Sequence, residues 1–489
     1  MAMILERRRI LNLMKTCKTL YYIGMPYLLR DRINLNGTHR QLRSFCDFIH
    51  CDVSRRGPLL RSLRISYTPI HSHDPDIPSH EEETLLFQRF IQLLSHCSDL
   101  RYLELFHVDK WFALDRKFPL AFQSLPTYEF LLLEGEDEYT IKLSPARRNL
   151  KTIAIIVSGR KPVKCDPRSF LHSDSNANSG VEELHVKNLF LTPDSWTSRF
   201  PTVKTFSIEQ AWTVDVYPLC DSFPSLRNLI YHGDVYHAVA SRPEFHRKKN
   251  IEKQKAIHWD SLDYFAGTLA YLYILAPQCR IRHISLRISN QDDESIILSW
   301  STILLNTRPS RLTIQFNLEN WRASILPMLI PPELNLAVTH VYLLRLASAS
   351  PLRFLRLTLF DSFDFMRHDK LRSFNPGAPP QQDKNPRPLS AAAVDQLENE
   401  SLTFATRIAR NTHGSLRYII FDLPTHPDIL YWEVEEKDGG PFLNPMNEKL
   451  GIKICAQEIL EFTTTLRQFS YFDLPSSNSF EQTRSYPYY

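Results

Sequence analysis

The sequence predicts an irregular α/β solenoid in which short parallel strands alternate with crossover helices. Three observations carry the prediction. A six-residue phrase, Leu-Arg-x-Leu-x-Leu, recurs along the 489 residues. Its second half alternates apolar and polar residues, the pattern of a strand with one buried face. Helical stripes stand ahead of the first copies, where parallel neighbours need a crossover. A chain-long array of this kind serves as a binding surface rather than a reaction chamber.

The elements follow in order. A helix over residues 39–51 carries Leu42, Phe45, Cys46 and Ile49 on one stripe. Behind it stands Leu60-Arg61-Ser62-Leu63-Arg64-Ile65, in which Leu63 and Ile65 point to one side while Arg64 and Ser66 point to the other. A helix over 81–97 has Leu86, Phe87, Phe90, Ile91 and Leu94 in line, and Ser79 with Glu82 makes a capping box at its start. It leads into Leu100-Arg101-Tyr102-Leu103-Glu104-Leu105. Looser copies begin at Leu150, Val181, Val203 and Leu226. The stretch Tyr264–Ala276 is the most apolar of the chain; it follows Asp260 and Asp263, is too short to span a bilayer, and reads as a buried helix. Further copies begin at Ile281, Leu352, Leu416 and Leu466, with a weak one at Leu312-Thr313-Ile314.

Spacing refines the fold class. Leu184 and Phe206 stand 22 residues apart, and Phe206 and Leu229 stand 23 apart. Both fit a leucine-rich repeat of about 20–29 residues. Other gaps are wider, such as 40 from Leu63 to Leu103 and 64 from Leu355 to Ile419. The asparagine or cysteine expected at the ninth position is replaced by Thr68, Val108 and Leu189, so a regular asparagine ladder is not expected. The predicted divisions are a helical segment at 1–35, a leucine-rich-repeat-like solenoid at 36–366, a disordered insertion at 367–392, further repeats at 393–474 and a polar tail at 475–489.

Composition excludes several classes. Hydrophobic residues make up 43% and aromatics 11%, enough for a large core. A net charge of +4 is too mild to make nucleic acid or an anionic membrane the main partner. The eight cysteines are scattered, with no Cys-x-x-Cys pair, which points to a reducing compartment, cytoplasmic or nuclear. The basic start, Arg7 to Arg9, has no apolar run of secretory length behind it.

The N-terminal residues differ from the rest. Ile10, Leu11, Met14, Cys17 and Leu20 suit a short helix, and a second amphipathic piece through Tyr21, Met25 and Leu28 is interrupted near Gly24 and Pro26. The string from Leu11 through Cys17, Leu20 and Tyr21, followed by Pro26, Leu28 and Leu29, resembles the second half of a fungal F-box. Proteins of that family often carry degenerate leucine-rich repeats behind it. The family's opening Leu-Pro-x-Glu helix has no counterpart ahead of Leu11, so the expected cap is a partial one. The resemblance implies a substrate receptor of an SCF-type ubiquitin ligase, with the cap on the adaptor subunit and the repeats on a protein target. By position, Leu13, Cys17, Leu20 and Pro26 would contact the adaptor.

Reaction motifs are missing: there is no phosphate-binding glycine loop, nucleophile elbow or His-Glu-x-x-His, and only 13 glycines occur. His71, His73, Asp74, Asp76 and His80 have metal-ligand chemistry, but proline breaks their spacing and a solvated loop is expected. Glu134, Glu136, Asp137 and Glu138 read as a solvated acidic loop, and His246 to Lys255 as a solvated basic helix face. Arg61, Arg101, Arg227, Arg353 and Arg417, each at the second position of a phrase, line an outward edge or protect the strands. The expectation is a non-enzymatic recognition subunit without cofactor or metal. The alternative from the same residues is a repeat scaffold with no ligase connection, and a hydrolase with a scattered site has nothing to support it.

Overall fold

The computed structural model describes residues 9–37, 39–67, 79–114, 128–136, 150–158, 163–165, 180–191, 199–209, 215–232, 242–288, 300–317, 352–360, 402–403, 405–410, 412, 415–422, 429–437 and 440–454. The predicted insertion at 367–392, the tail at 475–489, the copy at Leu466 and the residues His71 to Asp76 lie outside these ranges. The chain is α/β with mostly parallel strands. It divides into two compact units, Met1–Leu262 with Ile274–Gln278, and Asp263–Tyr273 with Cys279–Tyr489.

In the first unit β1 (Ile33–Gly37), β2 (Ser62–Tyr67), β3 (Tyr102–Phe106), β4 (Phe130–Gly135) and β5 (Thr152–Val157) lie side by side. β6 (Val163–Cys165) and β8 (Leu189–Leu191) form a separate parallel pair. The main series continues through β7 (Glu183–Lys187), β9 (Thr205–Glu209) and β10 (Asn228–His232). Every neighbouring pair of this series is parallel, and the series follows chain order.

Register shows why the phrase recurs. Leu63, Leu103, Leu131, Ile153, Leu184, Phe206 and Leu229 pair one with the next across seven strands. Ile65, Leu105, Leu133, Ile155, Val186 and Ile208 form a second row two residues on. All thirteen are at most 1% exposed, so the two rows are one continuous apolar seam. Burying each side chain contributes about 1.5–3 kcal/mol.

The backbone repeats too. The carbonyl of Arg61 accepts from the amides of both Arg101 and Tyr102, at 2.9 and 3.1 Å. The same forked bond recurs from Arg101 to β4, Glu129 to β5, Lys151 to β7, Glu182 to β9 and Lys204 to β10. Strand exits recur as well: His107 and Asn188 take the left-handed conformation, with φ of 56° and 57°, directly after β3 and β7. They turn Val108 and Leu189 inward, both 0% exposed, so buried aliphatics hold the ninth position.

Helices alternate with the first strands along the chain. α1 (residues 9–14) and α2 (Lys18–Arg30) open the unit, followed by α3 (His39–His50), α4 (Val53–Arg56) and α5 (His80–Ser95). The predicted capping box exists: Ser79 Oγ accepts from the Glu82 amide at 3.2 Å, and the Ser79 amide donates to Glu82 Oε2 at 3.0 Å. α6 (Val108–Leu114) seats the buried Trp111 against Phe87 and Phe90 of α5, with ring centroids 4.6 and 5.5 Å away. α7 (Val216–Ser222) and α8 (Pro243–Gln254) complete the set.

In the second unit β12 (Arg280–Ile288), β13 (Arg311–Asn317), β14 (Phe354–Phe360) and β15 (Tyr418–Asp422) are parallel in chain order, placed after β11 (Ser261–Thr268). Ile284, Leu312, Leu355 and Ile419 form a register row within this unit, each at most 2% exposed. Two antiparallel strands end the series, β16 (Leu430–Lys437) and β17 (Gly440–Pro445). Trp432 of β16 stands opposite Ile419 and meets the Phe421 ring edge-on at 5.2 Å. α9 (Leu269–Leu275) follows β11, and α10 (Trp300–Thr307) precedes β13.

Two sequence expectations are corrected. Tyr264–Ala276 is not one helix: Tyr264 to Thr268 belongs to β11, and only α9 is helical. The N-terminal break lies at residues 15–17, whereas α2 runs unbroken through Gly24 and Pro26. Pro26 removes one helical hydrogen bond, to the carbonyl of Tyr22, and that residue is solvent-exposed where water can accept the loss. Gly24 is there for close approach: a Cβ would lie 2.5 Å from Met14 Cγ of α1.

Candidate partner-binding surfaces

The helical cap exposes apolar side chains. Leu11 and Leu13 of α1 are 44% and 54% exposed, and Tyr22, Ile23 and Tyr27 of α2 are 49%, 57% and 64% exposed. Beside them lies a groove of about 390 Å³, lined by Leu11, Met14, Tyr21, Leu28, Leu29 and Phe45 among others, with Lys15 the charged residue of the lining. Met25 and Leu29 face the other way and are buried, so α2 has an inner apolar stripe and an outer one. These exposed apolar residues on α1 and α2 make the cap the candidate contact surface.

The cap is held rigidly. Arg56 of α4 donates to the Phe48 carbonyl and to Tyr21 Oη, the latter at 2.9 Å, and its guanidinium lies 4.4 Å from the Phe48 ring centroid. Arg89 of α5 pairs with Asp47 of α3 at 2.7 Å. Nη2 of Arg32, ahead of β1, donates to both carboxylate oxygens of Glu104 of β3, at 2.5 and 2.6 Å. Arg64, directly between them on β2, stands 3.8 Å from the same carboxylate. Burial pushes the Glu104 carboxyl above the ordinary range, against the pull of Arg32 and Arg64.

The four residues proposed for adaptor contact are placed differently by this cap. Leu13 is exposed on α1, and Cys17 is exposed at the N-cap of α2. Leu20 and Pro26 are half-buried within α2. Tyr22, Ile23 and Tyr27, more exposed than these two, are absent from the sequence-derived set. Their signal was the spacing 23, 27 on an outer helical stripe, which the expected break at Gly24 and Pro26 concealed.

The second surface is the line of second-position residues at the strand starts. The forked backbone bonds string Arg61, Arg101, Glu129, Lys151, Glu182, Lys204 and Arg227 into one row of the first unit. Arg101 and Glu129 pair at 3.7 Å, and Lys204 and Glu182 at 2.8 Å. The prediction of an outward edge holds for Arg101 and Arg227, which are exposed, whereas Arg61 is half-buried.

Two charged segments differ from expectation. Glu134 is a half-buried residue of β4, not loop; burial raises its pKa, opposed by Lys187 and Arg64. The basic run forms α8, yet its Arg247, Asn250 and Gln254 are buried. Asn250 accepts from the Val216 amide at 3.1 Å and donates to the Ile274 carbonyl at 2.8 Å, while Lys253 pairs with Asp215 at 2.5 Å. Thus α8 is anchored by polar hooks, while Lys248 and Lys249 are exposed on it and Lys255 is exposed at its C-cap.

Among the described residues no group of three His, Cys, Asp or Glu side chains could hold a metal. Burial lifts the Cys46 and Cys97 thiols to about 12, which makes them inert packing residues. His283 of β12 is held down to about 3 by burial and by Arg311 and Arg282, so it is a neutral side chain bonded to Thr313 Oγ1 at 3.1 Å. Among the described residues no helix is long and apolar enough to cross a membrane. No family model matches the chain, and no curated protein matches it.

Proposed function

We propose that this protein is a non-enzymatic recognition subunit that grips a protein target through its repeat surface and docks through its N-terminal helices on the adaptor of an SCF-type ubiquitin ligase. The observation that carries the reading is the outer stripe of the cap, where Leu13, Tyr22, Ile23 and Tyr27 stand exposed beside an apolar groove. Burying such side chains in a partner contributes about 25 cal/mol per Å² of apolar area. The F-box resemblance falls on the same helices; Arg56 ties α4 to α2 and α3, and Arg32 ties the end of the cap to β3. Free thiols at Cys17 and Cys51 suit the cytoplasm or nucleus.

The test is retention on immobilised adaptor subunit. The full chain is expected to be retained, and Ile23→Glu with Tyr27→Glu, both exposed positions, is expected to abolish retention without unfolding. A folded full chain that is not retained removes the ligase from the proposal and leaves the interaction scaffold.

A further inference from the structure

We infer that the strand-start edge of the second unit binds a glutamate- or aspartate-rich segment of a protein target. The inference deepens the recognition-subunit reading, on which it rests, by naming the target's chemistry. The edge is built by the same backbone device as in the first unit. Ser310 donates to the Arg282 carbonyl at 3.1 Å, Arg353 to the Ser310 carbonyl at 2.8 Å, and Arg417 to the Arg353 carbonyl at 2.9 Å. Arg282, Ser310, Arg353 and Arg417 therefore stand in line on successive strands.

The two units use this line differently. In the first, Glu129 and Glu182 are interleaved with cations and pair with them. In the second, the line contains no acid. Arg353 and Arg417 are exposed neighbours, and among the described residues neither pairs with an acid. Arg280 and Arg308 add exposed guanidinium groups at the starts of β12 and β13. On the adjacent strand β16, Glu435 is held by Lys437 at 3.3 Å and by Asn444, Glu433 stands opposite Tyr418, and Glu436 is exposed.

Neighbouring strands lie about 4.8 Å apart, so Arg353 and Arg417 put like charges side by side, an arrangement that weakens a sheet unless an anion joins it. The guanidinium fork matches a carboxylate in two-bond geometry. Three strand spacings, roughly 14 Å, separate Arg282 from Arg417, and four or five extended residues at about 3.3 Å each would cross the line. A protein segment fits better than a nucleic acid, because single-stranded bases need exposed aromatic platforms. Phe354, the aromatic residue next to Arg353, is 1% exposed.

The experiment titrates the full chain into fluorescein-labelled octaglutamate and follows anisotropy at low and moderate salt. Octaglutamine and a single-stranded oligonucleotide of equal charge serve as comparison ligands. Octaglutamate is expected to bind saturably and more weakly as salt rises, and octaglutamine not at all. Arg353→Glu with Arg417→Glu is expected to weaken binding at least about tenfold. Arg353→Lys with Arg417→Lys, which keeps charge and loses the fork, is expected to fall between. Circular dichroism checks folding, and Arg280→Glu with Arg308→Glu gives a second route to the same loss. Unchanged affinity in folded charge-reversed variants overturns the inference, as does tighter binding of the oligonucleotide through these arginines. Loss of adaptor retention with octaglutamate binding intact would sink the ligase reading alone, and the reverse outcome would sink this inference alone.

Discussion

Truncating Phe206 to alanine asks whether the apolar seam carries the stability of the first unit. Phe206 is 0% exposed and sits in register between Leu184 and Leu229. Its ring centroid lies 4.9 Å from that of Phe223, which in turn packs 5.8 Å from Phe200. Truncation removes the buried ring that packs on Phe223, so Phe206→Ala is expected to cost about 3–5 kcal/mol. Lys204 stands two residues upstream in the same phrase, half exposed at 52%, and pairs with Glu182 across the strand starts. Lys204→Ala is expected to cost under about 1 kcal/mol. Because two units need not unfold together, the assay is native-state hydrogen exchange at the amides of residues 205–209. Every 1.4 kcal/mol is about tenfold in opening, so Phe206→Ala should speed exchange by roughly a hundredfold or more. Exchange within about tenfold of the parent, or an equal effect from Lys204→Ala, would refute the assignment of stability to the seam.

Three further outcomes follow from particular contacts. Ser79→Ala removes the capping-box acceptor for Glu82 and is expected to lower the stability of α5 by about 1 kcal/mol, read by exchange in residues 80–86. His283 has a folded pKa near 3, below its ordinary value, so the stability it contributes at neutral pH is lost as pH falls through about 6.5. The loss approaches about 1.4 kcal/mol per pH unit down to the folded value, and His283→Gln should remove that slope from the acid denaturation of the second unit. Gly24→Val drives a side chain into Met14 and is expected to cost about 1–3 kcal/mol, with faster proteolysis at Lys15 as the readout.

The strands were legible where alternation was clean. Leu63 and Ile65 are inward while Arg64 is polar, and β2 was found at once. β4 was missed because Leu132, on its other face, is also buried, which turns alternation into an unbroken apolar run from Phe130 to Leu133. β1 was missed because it has only Ile33 and Leu35 as anchors, and the position three residues before Ile33 holds Arg30 rather than leucine. β16 and β17 carry no copy of the phrase, since an antiparallel pair needs no crossover. In the cap, helix propensity was overruled by packing: Pro26 was read as a break, but buried Met25 and Leu29 hold α2 together across it. The cationic line of the second unit was half legible. Arg353 and Arg417 were singled out by position in the phrase, but only the backbone chain through Ser310 shows that they are neighbours.

Cysteine cross-linking across one rung gives the most direct check on the in-register ladder. Thr152 and Glu183, 31 residues apart in sequence, are register partners on β5 and β7, with Thr152 Oγ1 3.2 Å from Glu183 Oε2. Thr152→Cys with Glu183→Cys, made in a background with Cys17 and Cys51 replaced by serine, places two Cα atoms within the range of about 4.4–6.8 Å that a disulfide spans. Mild oxidation followed by peptide mapping should return that one bond in high yield. Thr152→Cys with Lys187→Cys, the same strands four residues out of register, should stay reduced. Equal yields from the two pairs, or none from the first, would mean that the apolar triplets are not rungs of one ladder.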